Sequence, residues 1–330
     1  MGALPHHVRR GRIGIVGPAG SASDEIAVRI HDFTAGVSRM VAVPADDLAC
    51  ADGARATTDA VAALESDDDT DVVVVVAVAA HPVAADALLK RAARSAKPVV
   101  VCLIGASPET IAAGEADGVT VLSRTKPAAL AAVEAAGVDS STLDLHALNW
   151  PLIHEVRGLL HPEQTGIRAL FASEALCAEA AYLAAESHPD VRTDLGLPGL
   201  GAVDPAEPSR GHVFLARTRS GSPIVDPGLR VADIRGAAED PRTGVIVLDF
   251  VLGDDAHPDP VGAILPAIAE AKASAAVRGR HLEVLGYLMG TDADPQGYAT
   301  QATKLDDAGI TWASSSTNTG LLAREFVVKA

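Results

Sequence analysis

Aromatic side chains are scarce. Five Phe, three Tyr and two Trp make up 3% of the 330 residues. The core must therefore be built from Ala, Val, Leu and Ile, and base-stacking nucleic-acid modules or aromatic-lined pockets lack their material. Cysteine is scarcer still, with Cys50, Cys102 and Cys177 alone. An odd number without a Cys-x-x-Cys pair argues against a disulfide framework, a zinc ribbon or a redox dithiol, and for a reducing compartment. Positive charge is also short: 27 basic against 43 acidic side chains give a net charge of -16. General electrostatics then exclude nucleic acid and anionic membranes as partners. Long apolar runs are missing, since the longest, Val72–Ala80, falls far short of the roughly 20 residues of a membrane span. The polar start MGALPHHVRRGR has neither the apolar stretch of a secretory signal nor the Ser or Thr at position 6 that myristoylation needs. A cytoplasmic location is expected.

What is present is an apolar fraction of 48%, ample for folding, in a length that suits two domains of about 150 residues each. Continuous apolar runs at Arg12–Gly17, Val72–Val78 and Pro98–Ile104 read as strands buried on both faces. Helix-period segments at Ser23–Thr34, Asp59–Glu65 and Val83–Ser95 lie between them. The second half repeats this order, with strands at Ile167–Ala172, Val245–Leu252 and Leu282–Met289. Its helices are expected at Ser173–Glu186, Pro260–Ala276 and near Gln296–Asp306. Alternation of this kind predicts α/β architecture with parallel sheets covered on both sides.

The two halves also match in detail. SDDDTDVVVVVAVAAHP (66–82) parallels EDPRTGVIVLDFVLGDDAHP (239–258), KPVVVCLIGAS (97–107) parallels LEVLGYLMGTD (282–292), and DGVTVLSRTKPAALAAVEA (117–135) parallels AGITWASSSTNTGLLAREF (308–326). Two five-stranded parallel-sheet α/β domains related by internal duplication are predicted, at 1–140 and 166–330, joined by a linker at 141–165. The stretch His188–Arg210, with four prolines, is long for a connection and reads as a lid or a mobile surface loop.

Open parallel sheets bind ligands beyond the carboxyl ends of their strands. In GIVGPAGSASDE (14–25), Gly17, Gly20, Ser21 and Ser23 form a Gly-bearing turn at a helix start, suited to phosphate or carboxylate. It matches neither G-x-G-x-x-G nor the Walker loop, and a tight turn capped by Ser21 or Ser23 explains it as well. FASEALCAEA (171–180) offers Ser173 and Glu174 at a second helix start. The two helix ends are expected to face one anion. Cys177 reads as a buried small residue in preference to a nucleophile, because no His neighbour is evident.

LDFVLGDDAHPDP (248–260) places Gly253, Asp254, Asp255, His257 and Asp259 after a buried strand. Either the carboxylates orient an amide or ammonium group with His257 as acid or base, or the cluster is a helix cap. A hard-metal site from Asp254, Asp255 and Asp259 is disfavoured because the spacing fits no calcium loop. GTDADPQ (290–296) brings Gly290, Thr291, Asp292 and Gln296, and SSSTNTG (314–320) brings Ser315 and Asn318, again at helix starts. Capping alone accounts for either loop; their convergence at one sheet end favours a site.

ALFASEALCAEA, SPIVDPGLR, VIVLDFVLGDDAHPDP, GTDADPQ and SSSTNTG, in this order over Gly166 to about Leu322, resemble the FdrA family of acyl-CoA synthetase-like proteins. More distantly, both halves resemble the ligase domains of succinyl-CoA synthetase, which implies two flavodoxin-like (Rossmannoid) parallel-sheet domains. The resemblance implies a subunit of a multi-subunit oxamate carbamoyltransferase of allantoin (purine) catabolism, using carbamoyl phosphate and an amide or amine acceptor. On that reading His257, Asp259 and Asp254 are catalytic, and the other loop residues bind phosphate and substrate. Carbamoyl phosphate or phosphate is the implied ligand, CoA a further candidate, and companion subunits encoded nearby the implied partners. A non-catalytic scaffold subunit, or CoA-ligase-like acyl transfer without phosphohistidine, is the alternative. The synthetase phosphohistidine loop would fall near GASPETIAAG (105–114), which has no His. The family's first-half motifs are replaced by PADD (44–47) and AAHP (79–82), and its acidic element ahead of SPIVDP is absent from HVFLARTRSGSPIVDP (212–227).

Overall fold

Seven consecutive apolar residues, Val72–Val78, cannot alternate between core and solvent, and they form a strand buried on both faces. That strand, β3, is central in a sheet of order β2-β1-β3-β4-β5. The computed structural model describes residues 7–141, 143, 148–204, 206, 207, 209–216 and 221–328, and it divides at His146/Ala147 into two compact units. The first contains β1 (Arg10–Pro18), α1 (Ser21–Asp32), β2 (Val37–Val43), α2 (Arg55–Glu65), β3 and α3 (Pro82–Ala92), then β4 (Val99–Ile104), α4 (Pro108–Ala116), β5 (Thr120–Leu122) and α5 (Thr125–Ala135). All its strand pairs are parallel. The order 2-1-3-4-5 is that of flavodoxin-like sheets.

The second unit comprises α6 (Trp150–Leu159), β6 (Gly166–Leu170), α7 (Glu174–Ala185), β7 (Val191–Thr193), β8 (Gly201–Ala202) and β9 (His212–Leu215). It continues with α8 (Val231–Glu239), β10 (Thr243–Val251), α9 (Leu265–Val277), β11 (Glu283–Met289), α10 (Tyr298–Asp307), β12 (Thr311–Ala313) and α11 (Ser316–Phe326). Its sheet runs β12-β11-β10-β6-β9-β7-β8, parallel throughout. Five of these strands, β9-β6-β10-β11-β12, repeat the order of the first unit.

Layering repeats as well. One face of the first sheet packs α2 and α3 through Val61, Leu64, Leu88 and Leu89. The matching face of the second packs α8, α9 and α10 through Ile234, Ile268 and Leu305. In the second unit α11 packs on α7, and the buried Glu179 carboxylate accepts from Ser316 Oγ (2.6 Å) and Thr317 Oγ1 (2.8 Å).

Three expectations need correction. The second sheet has seven strands, not five, because 188–210 supplies the edge strands β7 and β8 instead of a lid; residues 205 and 208 of that stretch lie outside the described residues. The stretch read as a linker contains α6, whose Arg157 pairs with Glu325 of α11 at 2.9 Å, while 142 and 144–147 lie outside the described residues. The helix expected from Pro260 begins at Leu265, and the one expected near Gln296 begins at Tyr298.

At the amino end of β9, His212 stacks on His188 with ring centroids 4.2 Å apart. Burial, then His188 and Arg168, lower the His212 pKa to about 4, against the opposing pull of Asp190. The folded pKa lies below the ordinary 6.5, so this contribution to stability is present above pH 6.5 and is lost as the pH falls toward 4. Between pH 7 and 4.5 the wild type should lose about 2 kcal/mol more than His212→Gln, as measured by urea unfolding. Equal slopes for the two proteins would contradict this.

Candidate functional site

Buried polar side chains of the second unit gather where its strands end. Ser173 follows β6, Asp249 lies two residues from the end of β10, Thr291 and Asp294 follow β11, and Ser315 follows β12. Each is at most 3% exposed. Buried polar groups are kept only when hydrogen-bonded or put to use, which makes this edge the candidate site.

The loop after β10 is held from across the edge. Gln296 Oε1 accepts from Gly253 N (3.1 Å), and its Nε2 donates to Gly253 O (2.8 Å) and His257 O (3.2 Å). The amide is used within the protein, which makes Gln296 a residue that shapes the loop. Gly253 stands at φ 130°, a left-handed conformation that favours glycine. Asp254 is exposed at the loop tip. His257 is half-buried; its N–H donates to Ile224 O, and its Nδ1 accepts from Asp259 N at 3.0 Å. With Nδ1 accepting, a neutral ring carries its proton on Nε2.

Asp259, expected among the catalytic residues, is tied into the fold. Its Oδ1 accepts from Gly262 N (3.0 Å) and from Lys304 Nζ (2.6 Å). Burial opposes the charge, but Lys304, the Gly262 N–H and Gln301 hold this carboxyl below its usual range. It anchors the turn and does not cap α9, whose start lies six residues later. In the first unit the matching His81 does open its helix, with Nδ1 accepting from Val83 N at 3.2 Å.

Gly290 is packed so that a Cβ would lie 2.7 Å from Leu252 Cβ and 2.8 Å from Asp294 Oδ2. Thr291 N donates to Asp294 Oδ2 at 2.7 Å, and Asp292 faces solvent. Ser315 Oγ accepts from Asn318 N (3.0 Å), and Asn318 Nδ2 donates to Ser314 Oγ (3.3 Å). Capping therefore accounts for Ser315, and Ser315→Ala should lower stability by about 1 kcal/mol in chemical denaturation. No measurable loss would contradict the cap.

At α7, Ser173 occupies the capping position without making a cap bond, and Glu174 begins the helix exposed. Cys177 is fully buried, and burial, followed by Asp194, Asp249 and Glu174, pushes its thiol well up, as suits a core residue. In the first unit, Gly17 is a packing glycine: a Cβ would lie 2.5 Å from Val76 Cγ1. Ser23 Oγ is turned back to Pro18 O at 2.8 Å. Gly20, at φ 111°, precedes α1 with open space around it, and Ser21 is the first helical residue, its side chain outside the described residues.

Sequence reasoning missed Asp249, Arg230 and Asp294. The signal was there for Asp249, a lone acid inside the run GVIVLDFVL. Among the described residues no group of three or more His, Cys, Asp or Glu is placed to hold a metal ion, so Asp254, Asp255 and Asp259 are not brought together as one, and no helix is long and apolar enough to cross a membrane. A cavity of about 560 Å³, lined by Glu207, Ser209, Arg210 and Arg242, lies at the opposite, amino end of β9 and β10. Its lining holds the exposed Arg210–Glu207 pair and an exposed Arg242, a weaker basis for chemistry than the buried cluster.

The stretch that carries these loops has a match among known families. Residues 170–326 match the CoA-ligase family. The match begins at the end of β6 and runs to the end of α11, taking in the second-unit loops at the carboxyl edge of the sheet. The uncharacterized protein YahF of Escherichia coli (strain K12) is 41% identical over 328 residues, 98% of this chain and 63% of YahF. The chain therefore spans less than two thirds of that relative. Among solved structures, the dinucleotide-forming acetyl-coenzyme A synthetase 1 of Ca. Korarchaeum cryptofilum, in complex with phosphate and ADP, aligns over 97% of this chain and 65% of its own, with 13% identity and a TM-score of 0.34. The GsuK structure bound to ADP aligns over 95% and 68%, with 13% identity and a TM-score of 0.39. Scores this low do not discriminate between such different proteins.

Proposed function

We propose that this chain is the ligase-type part of a group-transfer enzyme that moves a carbamoyl or acyl group from its phosphate to an acceptor, without a phosphohistidine of its own. The observation that carries the reading is the CoA-ligase match over 170–326 together with the buried polar cluster at the carboxyl edge of that same sheet. The finer reading, an FdrA-like oxamate carbamoyltransferase subunit working with companion chains, rests on the GDDAHPDP and GTDADPQ motifs. In the transfer, the carbonyl carbon gains a bond to the acceptor nitrogen, or to the thiol sulfur when CoA is the acceptor, and loses its bond to the phosphate oxygen. The acceptor's proton ends on the released phosphate. Such chemistry asks for orientation and charge stabilisation more than for a covalent nucleophile.

His257 is the side chain best suited to take part. Its Nε2–H would donate to the leaving phosphate, while Thr291, Asp292 and Asp254 would orient the acceptor. The loops Ser173–Glu174 and Ser315–Asn318 would bind the phosphate, and Gly17–Ser23 of the first unit offers a separate anion-binding turn. CoA as acceptor is the variant closest to the family match. Phosphorus NMR of the chain co-expressed with its genomic neighbours should show carbamoyl phosphate consumed when oxamate is added, or acetyl phosphate consumed with CoA. His257→Ala should slow that turnover by about 10²-fold or more. No consumption in either arm, beside a stable complex, would remove the proposal's support.

A scaffold role has one specific observation in its favour. In the first unit the departing motifs serve structure: Asp47 accepts from Ala56 N (3.1 Å), Thr57 N (2.8 Å) and Thr57 Oγ1 (2.7 Å), fixing the start of α2. That reading places the chemistry, if this chain has it, in the second unit.

A further inference from the structure

The duplicated plan makes the first unit a control for the second. Two residues before the end of the third strand of each repeat stand Val76, in β3, and Asp249, in β10. Their pairings agree with this equivalence: Val76 is opposite Cys102 of β4, Asp249 is opposite Tyr287 of β11, and each of these also lies two residues from its strand's end. Both positions are at most 1% exposed. At the residue preceding the repeat-equivalent helix that leads into this strand, α2 has Ala54 and α8 has Arg230. The fold is thus complete with apolar residues at both places. The second unit instead buries a carboxylate and a guanidinium, whose desolvation works against stability unless their pairing repays it.

The pair makes specific bonds. Arg230 Nη1 donates to Asp249 O (2.7 Å), Asp249 Oδ1 (3.2 Å) and Leu170 O (3.3 Å), tying together the carboxyl ends of β6 and β10. Asp249 Oδ1 also accepts from Ala172 N at 2.5 Å. Arg230 Nε is fully buried without a hydrogen-bond partner. The Ser173 hydroxyl adjoins the Asp249 carboxyl. Burial raises the pKa of that carboxyl, while Arg230, the Ala172 N–H and Ser173 pull it back. A buried charge pair with an unsatisfied guanidinium N–H, just where the loop leaves the sheet, is costly and is not required by the fold.

We propose that Asp249 and Arg230 are a positioning pair for the second-unit site, fixing the turn 171–173 and with it the direction in which Ser173 and the start of α7 are presented. The inference rests on the reading that the carboxyl edge of this sheet is the working face. The pair acts through Ala172, Leu170 and Ser173, so neither residue is catalytic.

The test gives the second unit the first unit's solution. In Asp249→Val with Arg230→Met, made in the full chain, the thermal midpoint should stay level or rise. Amide hydrogen exchange over 171–177 should nevertheless quicken at least ~10-fold, because the turn has lost its tether. Asp249→Asn, which keeps the shape and weakens the charge, should quicken the same amides to a lesser degree. Turnover of carbamoyl phosphate should fall by at least ~100-fold in the double variant, with wild-type global stability. Unchanged exchange at 171–177 in both variants would overturn the proposal. So would a lowered midpoint with faster exchange all along β6 and β10, the mark of a purely structural pair. Should the wild type turn over neither carbamoyl phosphate nor acetyl phosphate while the exchange result holds, the functional reading fails and the positioning role stands.

Discussion

Asp249→Ala is expected to destabilise the second unit by about 3–5 kcal/mol, far more than the loss of a few side-chain atoms would suggest. The reason is what remains. Arg230 is 2% exposed, and Asp249 is the carboxylate beside it. Burial already lowers the Arg230 pKa, and Asp249 is the charge that offsets this. Removing the acid leaves a guanidinium in the interior with backbone carbonyls as partners, and an uncompensated buried charge is among the most destabilising of single changes. Both tryptophans, Trp150 and Trp312, lie in the second unit, so fluorescence-detected urea unfolding follows that unit. A midpoint within experimental error of wild type would show that the pair is not coupled as its geometry implies.

Arg168→Met is expected to have a similar effect, about 3–5 kcal/mol, from a different place. Arg168 is 4% exposed and donates to Ile167 O (2.8 Å), Gly211 O (2.7 Å), Ser209 O (2.6 Å) and Asp240 Oδ2 (2.7 Å). Its planar fork ties β6 to the approach to β9 and to the turn before β10. Asp240 keeps Arg242 after the substitution, but three carbonyls lose a charged donor. Arg168→Lys should recover little, because a single ammonium cannot satisfy partners spread over that fork. Recovery of full stability by Lys in the same urea experiment would contradict the account.

Much of the architecture was legible because it rests on strand burial. RIGIVG, VVVVVAV and PVVVCLI could only be interior strands, and the matched segments of the two halves foretold two repeated parallel sheets. The additions to the second sheet were not legible. β7 and β8 are three and two residues long, set among prolines and glycines whose local signal is that of loops. Helix starts after β10 and β11 were placed too early because Asp-Pro reads as an opener, whereas here turns held by Gln296 and Lys304 come first. For the site, spacing identified the loops but could not say which polar atoms are used within the protein. Asp259 and Gln296 look like ligand-binding residues in sequence, and in the folded chain their oxygens and nitrogens already have partners. Asp249 was passed over for the opposite reason: it sits inside a strand, where only the fold reveals that its partner is Arg230, 19 residues away.

Hydrogen exchange with and without carbamoyl phosphate tests most directly where the chain works. Amides of 171–177, 253–259, 290–296 and 314–318 should be protected by the ligand, with the remainder of the second unit little changed. Protection confined to 206–211 and 242, around the cavity at the amino ends of β9 and β10, or no protection anywhere, would contradict a site at the carboxyl edge of the second sheet.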